Sequence, residues 1–202
     1  MEKFYLEEVN IDRKDEVLEY INVHIKYGSD LNGTSSLKRI VENNMSYEDW
    51  LEETTRLKEK EYAEVNKLVP ATTYFTIRES DNKIVGMVNL RHYLNDYLKK
   101  YGGHIGYGIR PTERRKGYAK IQLYLVLIEA QKLGLDKVMV DCVSTNEGSE
   151  KTIKALGGLF DEKVHEENRN IYLNNYWINV NESVKQYENI YGNNISVKVK
   201  KR

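Results

Sequence analysis

A glycine-rich strand that runs into a basic turn and an apolar helix constrains this chain more than any other feature. Residues 102–110 read GGHIGYGIR and residues 111–119 read PTERRKGYA. An apolar helix is predicted over about 120–133, with Gly134 as its stop. The first amides of a helix lack intrahelical acceptors, and the helix dipole adds partial positive charge there. The sequence therefore predicts an anion-binding turn at residues 114–119.

The elements around this unit predict an α/β fold, with helices packed on a mixed, partly parallel sheet. The two strands that flank the apolar helix are expected to pair in parallel through a right-handed crossover. A hairpin signal, SDNK, separates two β-branched runs. The predicted strands cover 3–9, 72–80, 84–92, 104–110, 137–143, 159–165 and 170–180. The other predicted helices cover 16–27 and 47–67 and a segment that Asn146 opens and Gly157 ends.

The length of 202 residues and the hydrophobic content of 40% suit one substantial core. We expect a single domain over 1–180, whose residues 10–68 are mostly helical, and a C-terminal extension over 181–202. No internal repeat and no proline-rich linker marks another boundary.

The charge balance gives no global field that favours nucleic acid or an anionic membrane, because 31 basic residues face 31 acidic ones. The basic residues at 198–202 are interpreted as a solvated terminus. A single cysteine and a charged first segment, MEKFYLEEVN, predict a cytoplasmic protein. The longest apolar run is shorter than the ~20 residues that cross a bilayer.

The turn has the residue types that phosphate binding requires. Gly117 permits close approach of the backbone, Ala119 keeps a second contact small, and Arg114, Arg115 and Lys116 add full charges. Without context, the same composition equally suits an exposed basic turn.

The run Arg-x-x-Gly-x-Ala, placed between a strand and a helix, is similar to the acetyl-CoA-binding motif of the GNAT superfamily. The resemblance spans about 69–180 and implies the acyl-CoA N-acyltransferase fold, with acetyl-CoA as cosubstrate. It implies that backbone near Ile109 and Arg110 receives the acetyl and pantetheine end. It further implies that residues 114–119, including Tyr118, hold the pyrophosphate and that Asn146 touches the pantetheine arm or the adenine side. Homodimers are common in this family.

Two positions depart from the family pattern. Many members have a tyrosine seven residues after the asparagine, as general acid toward the thiolate, and Ile153 occupies that position here. The usual Gly-Phe ending of the same helix is changed to residues 157–160, GGLF. The main hypothesis is acetyl transfer to a primary amine of a small molecule or peptide. The alternative is a catalytically inactive CoA-binding regulatory module.

Candidate catalytic residues lie at the ends of two predicted strands. Alternation puts His104, Gly106 and Gly108 on one face of their strand, and a glycine face marks close approach of a ligand or another backbone. We expect the thioester along this face and His104 as the leading candidate for the general base, because an unperturbed histidine has a pKa of about 6.5. The alternative for His104 is a packed or surface histidine that orders the turn at residues 102–103. His92 is the second candidate base. Arg91 beside it could recognise a substrate carboxylate.

Several other polar residues stay open. Asp141 interrupts an apolar strand, so it needs either a partner or a position near substrate. Cys142 alternates with valines, which is typical of a core position rather than of a nucleophile. Four tyrosines are possible proton donors: Tyr97, Tyr101, Tyr107 and Tyr176. No residues have metal-ligand spacing, and the turn lacks the Gly-Lys-Ser/Thr ending of a nucleotide-binding phosphate loop.

Overall fold

The computed structural model describes residues 2–196, which form two antiparallel sheets. In the first sheet, four strands lie side by side in chain order. In the second sheet, the last strand of the chain lies between the other two. The first sheet comprises β1 (Phe4–Glu8), β2 (Ala71–Arg78), β3 (Lys83–Arg91) and β4 (Ile105–Ile109), and the second comprises β5 (Lys137–Val143), β6 (Leu159–Glu166) and β7 (Ile171–Asn179).

Seven α-helices in the described residues cover the sheets. They are α1 (Lys14–Lys26), α2 (Arg39–Glu42), α3 (Tyr47–Arg56), α4 (Lys60–Val65), α5 (Tyr118–Lys132), α6 (Glu147–Ala155) and α7 (Val180–Tyr191). Helices α1 and α3 pack on one face of the first sheet, where Tyr20 and Trp50 contact Phe75 and Met87. The other face packs against α5, so the fold has the predicted α/β class.

Helix α5 holds the two sheets together because it is apolar on nearly every side. Leu123 and Leu127 are fully buried in one cluster with Leu90 of the first sheet and with Val138 and Tyr176 of the second. A helix that buries most of its surface is stabilised by packing rather than by amphipathic contact with solvent. The two sheets therefore share one core.

The parallel pairing predicted for the strands that flank α5 is not formed as a ladder. Strands β4 and β5 lie in different sheets, and every pairing between the strands named above is antiparallel. The two strands meet at His104, whose main-chain N–H donates to the Met139 carbonyl at 2.7 Å. The Met139 N–H then donates to Nδ1 of His104 at 2.9 Å. A side chain replaces the next ladder acceptor, so the pairing stops there.

The long helix predicted over 47–67 is broken. Helix α3 ends at Arg56, and Glu59 has extended backbone, with ψ of 118°, before α4 begins. The carbonyl of Leu57 accepts from the Ala71 N–H at 3.0 Å, so the incoming β2 strand takes the acceptor at this helix end. A contact between distant segments thus overrides the local helix preference.

Residues 181–196 of the predicted extension pack onto the domain. They contain most of α7, and Tyr124 of α5 donates a hydrogen bond to the Val184 carbonyl at 3.1 Å. Tyr187 and Tyr191 also contact the main core. The basic residues at 198–202 lie outside the described residues.

The glycine face of β4 is covered by the loop that follows α1. A Cβ at Gly33 would lie 2.5 Å from the Gly106 carbonyl oxygen, and a Cβ at Gly108 would lie 2.8 Å from the Asn32 carbonyl oxygen. Backbone of Asn32 therefore occupies this face at Gly108, and the expectation that the thioester lies along the face stays a prediction without support from this contact. Of the two explanations for a bare strand face, close backbone approach is the one observed.

This contact predicts a large cost for Gly33→Ala. Gly33 has φ of +72° and no room for a Cβ, whereas Gly28 has φ of +57° with no atom within 4 Å. We expect Gly28→Ala to lower the free energy of unfolding by about 1 kcal/mol, the cost of left-handed backbone in alanine. Gly33→Ala adds overpacking and should cost ~3 kcal/mol. Urea denaturation of both variants tests this, and equal losses would contradict the contact.

Candidate functional site

The turn before α5 leaves a row of main-chain donors free. Gly117 caps the helix with φ of 84°, no side chain accepts from the first-turn amides, and a Cβ there would meet open space. Within residues 2–196, none of the amides of residues 115–119 donates a hydrogen bond. The turn sits at the strand-to-helix junction, as the sequence predicts. Its free N–H groups and the helix dipole together can bind an anion.

The three cations of the turn have different surroundings. Lys116 Nζ is 2.8 Å from a carboxylate oxygen of Glu113, and Arg114 Nε donates to the Ile109 carbonyl at 3.0 Å. The exposed Arg115 has φ of 63° and no hydrogen bond or ion pair in the described part of the chain. Of the three side chains, Arg115 is therefore the one available to a ligand without breaking an existing contact.

Strand β4 presents a free main-chain edge toward β5. Arg110 N–H donates to the Val85 carbonyl and Arg91 N–H to that of His104, which fixes the residues that bond to β3. By alternation, the N–H and C=O groups of Tyr107 and Ile109 face the opposite way. Along 105–109, the described residues contain no main-chain hydrogen bond to β5. This edge suits a ligand that carries amide groups.

Arg110 points away from this edge. Its guanidinium is buried, with Nε donating to the Ile84 carbonyl and Nη1 lying 2.9 Å from a Glu19 carboxylate oxygen. Its main-chain N–H already serves β3. Ile109, by contrast, has its N–H on the free edge, so the two residues that the sequence pairs as a binding site face in opposite directions.

Asn146 begins α6 close to the outer end of β5. Its Oδ1 accepts from the Ser149 N–H at 3.0 Å, so the side chain caps the helix. Its Nδ2 has no acceptor in the described residues. The capping role follows from the sequence, and contact with a cofactor stays a prediction.

A cavity of about 1050 Å³ lies on the α3 side of β3 and reaches Gly106 of β4. Asn89 and Arg91, two residues apart on β3, contribute polar groups to it, and Tyr97 and Arg169 contribute from later loops. Arg91 is a residue that the sequence pattern indicates, whereas Asn89 is one that sequence reasoning misses. Its signal was a polar residue at alternate spacing in an otherwise apolar strand.

His104 is held as a structural residue. Nδ1 accepts from the Met139 N–H, so Nε2 carries the proton and the neutral ring has no free lone pair. Burial, aided by the Arg91 charge, lowers its pKa to about 4. This geometry favours a role in joining β4 to β5, and the assignment of His104 as base stays a prediction without support from its contacts.

His92 lies outside the residues that line the cavity. Its Nε2 is 2.9 Å from the Thr72 hydroxyl, and its main-chain N–H donates to the Pro70 carbonyl. Burial lowers the pKa of this imidazole, with a smaller effect from Lys58. These contacts likewise favour a structural role at the end of β3.

The other polar candidates separate into two groups. Asp141 has the predicted partner, since its carboxylate accepts from the Gly102 N–H at 3.0 Å, and burial raises its pKa. Cys142 is buried, and burial raises the pKa of its thiol to about 11, which matches a core position. Tyr107 is the tyrosine whose side chain crosses from β4 to α6, where its hydroxyl is 2.7 Å from that of Ser149.

The remaining tyrosines are held elsewhere. The Tyr97 hydroxyl donates to Glu166 at 3.0 Å, that of Tyr101 to the His165 carbonyl, and that of Tyr176 to Glu150 at 3.1 Å.

None of the helices in residues 2–196 combines the length and apolar content needed to span a bilayer.

The lowered pKa of His104 predicts a specific loss of stability in acid. Its folded-state pKa of about 4 lies below the usual 6.5, so its contribution is complete above pH 6.5 and is lost as the pH falls toward 4. The loss should reach about 3 kcal/mol. His104→Asn keeps an acceptor near Nδ1 but does not titrate. Urea denaturation between pH 8 and pH 4 should give a flatter profile for the variant, and identical profiles would contradict the assignment.

Comparisons with known proteins agree with this architecture. The family model for the acetyltransferase (GNAT) family matches residues 37–157. No curated protein matches the sequence.

Solved structures described as acetyltransferases have the same fold at low sequence identity. The ribosomal-protein-S5-alanine acetyltransferase from Vibrio fischeri is similar with a TM-score of 0.63 and 17% identity, over 89% of this chain and 94% of that one. A spermidine N-acetyltransferase chimera from Vibrio cholerae and hSSAT gives 0.59 and 14%, over 90% and 98%. YncA from Salmonella typhimurium, solved with its cofactor acetyl-CoA, gives 0.57 and 12%, over 88% and 94%. The chain belongs to the GNAT family of acetyltransferases, whose acyl donor is acetyl-CoA.

Proposed function

We propose that this protein transfers the acetyl group of acetyl-CoA to a primary amine of a small molecule or peptide. The neutral amine attacks the acetyl carbonyl carbon directly, so a C–N bond forms and the C–S bond breaks. The amine loses a proton, and the departing thiolate gains one. The products are an N-acetyl compound and CoA.

The observation that carries this proposal is the presence of two groups of unpaired main-chain atoms, one on the open edge of β4 and one in the turn before α5. The free amides of residues 115–119 suit the pyrophosphate, with Arg115 adding charge. The free edge of β4, with the N–H and C=O of Tyr107 and the N–H of Ile109, suits the amides of the pantetheine arm. The cavity that reaches Gly106 supplies space for an acceptor on the other side of the strand.

The surroundings of Cys142 and Tyr107 support direct attack. A thiol whose pKa is raised to about 11 stays protonated near neutral pH, so Cys142 is a poor nucleophile and no acyl-cysteine is proposed. Tyr107 extends from β4 to the first turn of α6, where its hydroxyl lies 2.7 Å from that of Ser149 and is a proton donor at this position. We therefore place the proton for the thiolate on Tyr107, and the ammonium proton leaves through water. A cytoplasmic location is part of the proposal, since the single Cys142 forms no disulfide within the chain.

Turnover should appear as CoA release that depends on an added amine. Purified protein, acetyl-CoA and a thiol reagent should give a signal above blank hydrolysis with at least one member of a panel of amino acids, polyamines, aminoglycosides and peptide amines. Mass spectrometry of the acceptor should show one added acetyl group. Tight CoA binding without turnover across the panel would contradict catalysis and favour a binding module, as Ile153 in place of the family's tyrosine would allow.

Arg115→Ala should weaken CoA binding by roughly 3- to 10-fold, because it removes one exposed ion pair with the pyrophosphate. Isothermal titration calorimetry at two salt concentrations measures this, and the difference should shrink at high salt. Lys60→Ala is the matched control, since this exposed cation lies on α4, away from the turn. Unchanged CoA affinity for Arg115→Ala would contradict the role of this side chain.

A further inference from the structure

The acceptor cavity is lined by more cations than anions. Its basic residues are Lys38, Arg39, Lys67, Arg91 and Arg169, and its acidic residues are Asp30 and Glu53. The lining therefore carries three more positive charges than negative ones. Glu42 and Glu166, which pair with Lys38 and Arg169 from outside the lining, reduce the surplus to one positive charge, and a field of this sign gives a modest preference for an acceptor that carries negative charge.

Most of these cations already have carboxylate partners. Arg39 pairs with Glu53, Lys38 with Glu42 and Arg169 with Glu166. Lys67 is exposed to solvent, where its charge is screened. Arg91 differs from all of them, because it is half-buried and has no carboxylate within 4 Å in the described residues.

Within the described residues, one nitrogen of the Arg91 guanidinium is hydrogen-bonded and the other two are unpaired. Nη1 donates to the carbonyls of Gly102 and Gly103 at 2.7 and 2.8 Å. Neither Nε nor Nη2 has an acceptor in residues 2–196, and neither is fully buried, so each keeps some accessible surface. Burial lowers the pKa of Arg91 while Asp141 raises it, yet an arginine keeps its charge at neutral pH. A rigid, charged, partly desolvated fork is suited to a carboxylate.

Asn89 places a second polar group on the same face of β3. Its Nδ2 donates to the Thr73 hydroxyl at 3.0 Å, and its Oδ1 has no donor in the described residues and is not fully buried. Its backbone lies opposite Gly106 of β4. Residues two apart on a strand are separated by about 7 Å. Asn89 Oδ1 can therefore accept a hydrogen bond from the amine of an acceptor, while Arg91 binds an anionic group a few bonds away in the same acceptor.

We propose that the acceptor is a small amino acid, or an amino-acid-like amine, whose carboxylate is bound by Arg91 and whose amine is oriented by Asn89. This inference rests on the proposed acetyl transfer and names its substrate class. Acceptors without a carboxylate, including polyamines, are therefore expected to be poor substrates.

Matched acceptors test the substrate class. For several side chains, kcat/KM is measured with the free amino acid, its C-terminal amide and the corresponding decarboxylated amine, with spermidine as a polycation. The value of kcat/KM for the free acid should exceed the values for the amide and the amine by at least ~10-fold, which is the effect expected when one charge-assisted hydrogen bond is lost. Equal or higher kcat/KM for the amide, the amine or spermidine would overturn the proposal.

Variants test whether Arg91 reads the carboxylate. Arg91→Gln should lower kcat/KM for the acid by 10- to 100-fold, mainly through KM, and should change that for the amide by less than ~3-fold. Arg91→Lys keeps the charge and a donor for the glycine carbonyls, so it should restore part of the preference. Lys67→Gln removes one exposed charge from the same cavity and should change the preference by less than ~2-fold. Equal effects of Arg91→Gln and Lys67→Gln would overturn the assignment to Arg91.

A binding measurement separates failure of this inference from failure of the proposed function. If no amine is acetylated, calorimetry of N-acetyl amino acids and their amides in the presence of CoA still reports recognition. Tighter binding of the acid that is lost in Arg91→Gln would support the carboxylate site while catalysis fails. Equal binding of acid and amide would overturn the site itself.

Discussion

The contact between His104 and Met139 is the constraint on which the site depends. It joins β4 to β5 through one main-chain bond and one bond to an imidazole, and the ladder ends there. The N–H and C=O of Tyr107 and the N–H of Ile109, on the edge of β4 that faces β5, are thereby left for a ligand. A neutral ring is required, because a protonated Nδ1 would repel the Met139 N–H, and burial supplies the lowered pKa that keeps it neutral.

Helix α5 connects this open edge to the anion-binding turn. Its body is buried between both sheets, whereas Gly117 at its start faces solvent with no atom near its missing Cβ. Unpaired amides are costly when buried but cheap when water reaches them. The chain can therefore keep residues 115–119 unpaired without a large loss of stability, and an anion that arrives displaces water rather than an internal acceptor.

The sequence predicted local features well and contacts between distant segments poorly. The strand, the turn at Gly117 and the apolar helix have strong local signals, and the structure contains all three. The glycine face of β4 was assigned to the thioester because nothing in residues 104–110 indicates that Gly33 packs there. The broken helix at Glu59 and the cavity with Asn89 arise in the same way, since each depends on segments that meet only after folding.

The departure at Ile153 can be understood from packing. This side chain is fully buried, and a Cβ at Gly158 would lie 2.4 Å from its Cγ2, so α6 presses against the turn that follows it. Because residue 153 is an isoleucine, α6 has no tyrosine hydroxyl at this position. Tyr107 instead crosses from β4 to the first turn of α6 and bonds to Ser149. A tyrosine hydroxyl thus still lies between β4 and α6, but it belongs to the strand residue Tyr107 rather than to a helix residue.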